Sequence, residues 1–454
     1  MSHDSWTPET WKAKPSQQQP RYDDQIAVDS VVDQLRTLPP LVTSWEIERL
    51  RRQLAEAQRG ERFVLQGGDC AETLADCTPQ AITNKLKILL QMSLVLVHGA
   101  KKPVIRIGRF AGQYAKPRSS LTERRQNEQS ETVELPSYFG DLVNRWEFTP
   151  QARRPDPTLM LKCYKHAAMT LNFIRSLVAG GFADLHHPEY WKLSFMDHAS
   201  LSPEVREEYH RASQQLAGAL RFMEALGEMS IDELTRVEIF TSHEGLNLLY
   251  ESAQTRTVPR REGYYNLTAH LPWIGERTRG IDEAHVEYFR GVRNPIGVKV
   301  GPTAEPGQIV EMAQRLNPDN EPGRLSLIVR MGASQIEEGL PKLVSRIRDQ
   351  ELNVLWICDP MHGNGQKTTN GVKTRSFDDI VAELECSFDV HDTLGTYLGG
   401  VHFEMTGEDV TECVGGAEKV SENDLSRNYT SRCDPRLNYQ QSMELAFRIA
   451  RRLE

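Results

Sequence analysis

The sequence predicts an α/β protein: a closed (β/α)8 barrel with an N-terminal extension and extra helices inserted between the second and third strands. Three observations predict it. Short β-rich runs recur eight times, the later runs alternate with helix-patterned segments, and several runs end in a cluster of glycine and ionisable residues. Sequential βα units imply a parallel sheet, eight units suffice to close it, and such barrels keep their chemistry at the C-terminal ends of the strands.

The runs, in order, are RFVLQGGDC (62–70), PVIRIGR (103–109), RVEIFTSHE (236–244), YYNLTAHLPWIGER (264–277), PIGVKVGP (295–302), LSLIVRMG (325–332), NVLWICDPMHG (353–363) and GGVHFEMTGE (399–408). Helical patterns at 306–316 and 336–350 separate the later ones. Residues 1–60 form an extension with a helix over 44–58, and the barrel itself occupies 61–454. The interval between the second and third runs is too long for one loop and one helix, which places a helical insertion at about 143–235. Within it, 158–179 sets Leu159, Cys163, Ala167, Leu171, Ile174 and Leu177 on one face. Segment 202–226, opened by Ser202-Pro203 as N-cap and first-turn proline, does the same with Val205, Tyr209, Ala212, Leu216, Leu220 and Met223. These stripes exceed what one barrel face needs, so burial against a neighbouring subunit is expected.

Composition narrows the function. The 454 residues carry a net charge of −9, which disfavours a protein that works by neutralising nucleic-acid phosphates. Mean hydropathy is −0.52 and no stretch approaches 18 consecutive apolar residues, so no membrane span is expected. The first residues are polar, with acids among the bases, unlike a signal or transit peptide, and a cytoplasmic setting follows. The 7 cysteines are scattered, odd in number and form no CxxC, which favours reduced thiols over a disulfide framework.

Two groups of strand-end residues can carry chemistry. Cys70, His362, Glu404 and Asp434 combine a thiolate, an imidazole and two carboxylates, a set that suits Zn2+, Mn2+, Fe2+ or Co2+ as a Lewis acid. Taken singly, each also has a structural reading, as a packed cysteine, a loop histidine or a capping acid. The second group is cationic: Arg109, Lys116, Arg118, Arg277, Arg279, Lys299 and Arg330, with Ser119 beside Arg118. Lys299 and Arg330 interrupt apolar strands, and a buried charge is costly unless it meets a carboxylate or an anionic ligand. The structural alternative is an internal ion pair, for example with Glu276 or Glu244. Several cations converging on one barrel mouth in an acidic protein favour ligands bearing phosphate and carboxylate groups. No GxxxxGK[ST], strand-linked GxGxxG or GxSxG is present.

The segments LQGGDCAE (65–72), GRFAGQYAKPRS (108–119), WIGERTR (273–279), NPIGVKVGP (294–302), CDPMHGN (358–364), HFEMTGEDVTEC (402–413) and CDPRLN (433–438) closely resemble those of the type II 3-deoxy-D-arabino-heptulosonate 7-phosphate (DAHP) synthases, over nearly the whole chain from about residue 25. The resemblance implies a metal-dependent transferase of the shikimate route that condenses phosphoenolpyruvate with erythrose 4-phosphate and releases phosphate. It implies Cys70, His362, Glu404 and Asp434 as ligands of Mn2+, or of Co2+. It implies a phosphoenolpyruvate site of Arg109, Glu276, Arg277, Lys299 and Arg330, with Lys299, Glu276 and Arg277 catalytic, and Lys116, Arg118 and Ser119 at the erythrose 4-phosphate end. The long form implies a homo-oligomer, dimer or tetramer, inhibited by an aromatic amino acid, tryptophan foremost. Cys433 precedes Asp434, so a Cys70–Cys433 disulfide that blocks metal binding is also expected. The rival readings are a pyruvate-type metal aldolase, which needs no second phosphate grip, and a non-catalytic anion-binding barrel.

Overall fold

Period-2 alternation decides what each strand presents to the barrel interior. In the computed structural model, which describes residues 6–126, 131–182, 206–208, 210–211 and 237–454, all eight runs become strands. They are β1 Phe63–Gly68, β2 Val104–Arg109, β3 Ile239–Glu244, β4 Leu271–Ile274, β5 Ile296–Val300, β6 Leu325–Val329, β7 Leu355–Cys358 and β8 Leu398–Glu404. Every neighbouring pair is parallel, and β1 closes the barrel on β8. Interior columns begin apolar: Ile105 and Ile107 precede Arg109 on β2, Leu271 and Trp273 lie on β4, and Ile328 on β6 is followed by Arg330 just past the end of the strand. The lower ends pack as a core, and the charges gather at the C-terminal rim.

One run is longer in sequence than in the sheet. Of 264–277 only Leu271–Ile274 joins the barrel, while Tyr265–Asn266 pairs antiparallel with Thr255–Arg256. The backbone of the first half is otherwise engaged. The Leu267 carbonyl accepts the N–H groups of Leu41 and Val42 from the extension, and the Asn266 carbonyl accepts from the Asn294 side chain.

Helix α1 (Gln25–Thr37) starts at Asp24, whose side chain accepts the Ala27 N–H. Helix α2 (Ser44–Gln58) starts on a Thr43/Glu46 capping box. Leu50, Leu54 and Ala57 of α2 pack on Val64, Ile105, Phe240 and Leu355, so α2 plugs the N-terminal end of the barrel. Each leucine is fully buried, and truncation of either to alanine is expected to cost about 2–5 kcal/mol. Helices α3 (Pro79–Ala100) and α10 (Tyr439–Leu453) pack side by side, close enough that a Cβ at Gly99 would meet Ala450 at 2.5 Å.

Helix α4 (Thr158–Ala179) has the predicted bounds, but its apolar stripe does not face outward. Leu159, Cys163, Ala167, Leu171 and Ile174 are buried within the chain, most of them against α1 and the Leu41–Val42 link. The expectation that this stripe serves a neighbouring subunit is therefore corrected: the N-terminal extension folds back and covers it. Of segment 202–226, residues 206–208 and 210–211 are helical, and the rest lies outside the described residues. The remaining helices are α5 (Leu248–Ala253), α6 (Ala284–Phe289), α7 (Pro306–Leu316), α8 (Ile336–Asp349) and α9 (Phe377–Leu394). Among the described residues no helix is long and apolar enough to cross a membrane.

Candidate metal and anion site

Strand register places the two groups of residues next to each other. Gly68, the last residue of β1, pairs with Arg109 on one side and Glu404 on the other. It must be glycine: its φ is +148°, and a Cβ there would meet the Arg109 carbonyl at 2.8 Å. Two residues on, Cys70 turns into the mouth, and the loop before α10 brings in Asp434. Ligand atoms of Cys70, Glu404 and Asp434 all lie within 4.8 Å of one another, and His362 Nε2 is 2.9 Å from Glu404 Oε1. His362 is oriented from behind, its Nδ1 lying 2.7 Å from Asp359 Oδ2, the arrangement that aims the other ring nitrogen at a metal.

The cluster is built to hold positive charge. The Lys116 ammonium stands among the donors, 2.9 Å from the Cys70 sulfur, 3.0 Å from Glu404 Oε1 and 3.3 Å from Asp434 Oδ2. It is a monovalent stand-in for the cation that a thiolate, an imidazole and two carboxylates would hold, so the residues fit a first-row divalent metal. Burial would raise the Glu404 carboxyl, but His362, Lys116, Arg375 and Arg109 hold it well below the usual carboxylate range. Asp434 is lowered too, against burial, chiefly by Lys116. Burial pushes the Cys70 thiol well up, its hydrogen bond with the Cys433 thiol adds to this, and a thiolate here needs added positive charge.

Beside this cluster lie the cations of the second group. Arg109, 1% exposed, donates to Glu404 Oε1 at 3.0 Å, to the Asp69 and Cys70 carbonyls, and to His402 Nε2 at 2.6 Å. Its guanidinium lies over the Trp273 ring at 5.2 Å, and the Lys299 ammonium over the same ring at 5.7 Å. Lys299 bonds to Asp359, yet burial pushes its ammonium down to about 8. Arg330 donates to the His362 carbonyl, its Nε is buried without a partner, and it forms no ion pair among the described residues.

The alternative of an internal ion pair holds for Lys299, but its partner is Asp359; among the described residues neither Lys299 nor Arg330 pairs with Glu276 or Glu244. Glu276 instead binds Arg279 at 2.8 Å and accepts the Gly301 N–H at 2.6 Å. Glu244 Oε1 is buried without a hydrogen bond, and burial raises its carboxyl. Arg277 and Ser119 are exposed and show no hydrogen bond among the described residues, and Arg118 reaches Glu123 at 3.4 Å. The AKPRSS loop is thus divided: Lys116 stands among the metal donors, Arg118 borders them through the Cys433 sulfur at 3.9 Å, and Ser119 is exposed.

Sequence reasoning missed Asp359 and Arg375. Asp359 serves both Lys299 and His362, and its signal was its place three residues before His362 in CDPMHGN. Arg375 neutralises Glu404 Oε2 at 2.9 Å from a short hairpin, and nothing in its local sequence marks it.

A family model described as the Class-II DAHP synthetase family matches residues 6–450. A Neurospora crassa protein named phospho-2-dehydro-3-deoxyheptonate aldolase is 46% identical over 461 residues, covering 98% of this chain and 94% of its own length. A Streptomyces coelicolor protein of the same name is 46% identical over 441 residues, covering 97% and 96%. A solved structure of a phospho-2-dehydro-3-deoxyheptonate aldolase from Francisella tularensis SCHU S4 aligns with 95% of this chain and 98% of its own, with a TM-score of 0.48 and 14% identity.

Proposed function

The chain belongs to the Class-II DAHP synthetase family, and from that premise we propose how its residues share the reaction. The enzyme condenses phosphoenolpyruvate with erythrose 4-phosphate to DAHP and inorganic phosphate, the first step of the shikimate route. Cys70, His362, Glu404 and Asp434 hold the divalent cation, Mn2+ first and Co2+ second. When bound it supplies Lewis acidity to the aldehyde oxygen of erythrose 4-phosphate. Lys299, Arg109 and Arg330 grip the phosphoenolpyruvate anion, with Glu276 and Arg277 at its edge. Lys116, Arg118 and Ser119 take the erythrose 4-phosphate end. By fixing both anions the chain sets C3 of one substrate in line with the aldehyde carbon of the other, and it replaces bulk water by oriented charge. Water adds at C2 of phosphoenolpyruvate, and phosphate leaves from the same carbon.

One observation carries this reading: buried carboxylates and buried cations, Glu404 with Arg109 and Lys116 and Asp359 with Lys299, meet within one closed barrel. The test is phosphate release on mixing both substrates, abolished by EDTA and restored by Mn2+. Cys70→Ser should lower turnover at limiting metal by about a hundredfold or more while the fold is retained. Near-normal turnover there sinks the ligand assignment.

We also infer a cytoplasmic homo-oligomer inhibited by tryptophan, alone or with phenylalanine or tyrosine. What supports it is an extension and an insertion that supply none of the proposed ligands. Among the described residues a cleft of about 1100 Å³ joins them, with Leu171, Ile174 and Val178 along one wall and the Glu46–Arg175 pair at its edge. An apolar wall beside a charge pair suits an amino acid with a ring. Deletion of 200–228 with a short linker should spare turnover and abolish inhibition. A wild type unaffected by every aromatic amino acid and their pairs at millimolar concentration refutes it.

A further inference from the structure

Among the charged residues of the recognised motifs that have no part in the chemistry above are Asp69, Glu72, Glu412 and Arg436. They meet in one buried chain. Glu412, fully buried, accepts the backbone N–H groups of Thr430, Ser431 and Arg436 at 3.0, 2.8 and 2.7 Å. Its two oxygens also take the Arg436 guanidinium as a fork, Nη2 at 2.9 Å and Nε at 3.1 Å. The remaining arm of Arg436 donates to Asp69 Oδ1 at 2.9 Å. Asp69 Oδ2 pairs with Lys85 at 2.6 Å, and Lys85 lies 3.7 Å from Glu72. Glu72 in turn accepts the N–H groups of Ala111, Gly112 and Gln113, each at 2.9 Å, in the loop that leads to Lys116.

Charges alternate along this chain, so each is neutralised by its neighbours inside a low-dielectric interior. Its position matters more than its sum. Asp69 adjoins Cys70, Arg436 lies two residues after Asp434, and Cys70 and Asp434 are separated by 364 residues of sequence. Among the described residues Arg436 is the side chain that reaches from the Asp434 loop to Asp69, the residue beside Cys70, while the Asp434 backbone N–H donates to the Cys70 sulfur itself at 3.3 Å.

Resting on the metal-ligand reading above, we propose that Arg436 is a positioning residue: a strut between Glu412 and Asp69 that fixes the spacing of Cys70 and Asp434 and thereby sets metal affinity. A planar, forked cation is needed because one group must serve two carboxylates at fixed angles.

Metal-free protein is titrated with Mn2+ alone, free Mn2+ being read by its electron paramagnetic resonance signal. Wild type, Cys70→Ser, Arg436→Gln and Arg436→Lys are compared, with thermal unfolding recorded for each. If wild type and Cys70→Ser bind Mn2+ alike, the ligand reading itself fails. When Cys70→Ser binds more weakly, Arg436→Gln should raise the Mn2+ Kd about 10–100-fold and keep most of its kcat at saturating Mn2+. Arg436→Lys, which keeps the charge beside Asp69 but loses the fork, should raise Kd by a smaller factor. A Kd within about twofold of wild type in either folded variant overturns the strut, whatever happens to Tm. If the glutamine variant does not fold, the lysine variant decides.

Discussion

Activity and stability should move in opposite directions above pH 8, and Lys299 is the reason. Its ammonium is buried on β5 between Asp359 and the Trp273 ring, and burial lowers it from 10.5 to about 8. About nine-tenths of the free enzyme then carries the charge at pH 7, about half at pH 8 and about one-tenth at pH 9. If only the ammonium grips phosphoenolpyruvate, kcat/KM falls roughly tenfold between pH 7 and 9, since this ratio reports groups of the free enzyme. Stability runs the other way. A lysine whose folded value is depressed destabilises the fold while charged, and that penalty is relieved as pH rises from 8 towards 10.5. The penalty is about 3–4 kcal/mol, from a 2.5-unit difference (10.5 − 8) at roughly 1.4 kcal/mol per unit. The assay is initial-rate kcat/KM for phosphoenolpyruvate from pH 6.5 to 9.5 at saturating metal, beside urea unfolding at each pH. Lys299→Arg, which stays charged throughout, should lose the break even if its absolute rate is lower. A wild-type profile flat to about pH 9.5, or the same break in Lys299→Arg, refutes the reasoning.

Arg330→Ala should lower kcat/KM for phosphoenolpyruvate by about 10–100-fold with little change in Tm, because among the described residues Arg330 has no ion pair to lose. A large loss of Tm with normal activity in the folded fraction would mean that the residue is structural. The Cys70 and Cys433 thiols are buried in contact, and mild oxidation should join them and inactivate the enzyme. Dithiothreitol should restore activity and bound Mn2+ should protect; peptide maps with both thiols free after inactivation count against the bond. Glu383 on α9 accepts the Met331 and Gly332 N–H groups, yet burial pushes its carboxyl up to about 8. Its raised value stabilises the fold below pH 4.5, and that contribution fades as pH climbs to 8. Glu383→Gln should therefore flatten the decline in unfolding free energy between pH 6 and 8 by about 2–3 kcal/mol. Equal slopes in wild type and variant would show the carboxylate ionised in the fold.

What could be read without a structure was whatever repeats locally. The β-rich run 103–109 marked β2 with Arg109 at its end, a 3.6-residue period marked 158–179 as a helix, and the glycine-ionisable clusters marked the strand ends. The same reasoning set Lys299 and Arg330 as charges interrupting apolar strands; Lys299 is buried within β5, while Arg330 lies half-buried just past the end of β6. It did not see that 264–270 leaves the sheet, because the groups that capture that backbone come from residues 41, 42 and 294. It also misjudged where the 158–179 stripe is buried, because α1 covers it from more than 100 residues away.

Which charge meets which was decided by the fold alone. Lys299 pairs with Asp359, Lys116 enters the Cys70–Glu404–Asp434 cluster, and Arg375 closes Glu404 from a hairpin that carries no mark of its function. The physical reason lies in range. Burial depends on side-chain polarity, which repeats along the chain with the period of each element, so one sequence determines strands, helices and the inward column of each. Ion pairing depends on separations of a few ångströms in a medium of low dielectric, between residues as far apart in sequence as Arg109 and Glu404. Only closing the barrel on β1 and β8 fixes those separations.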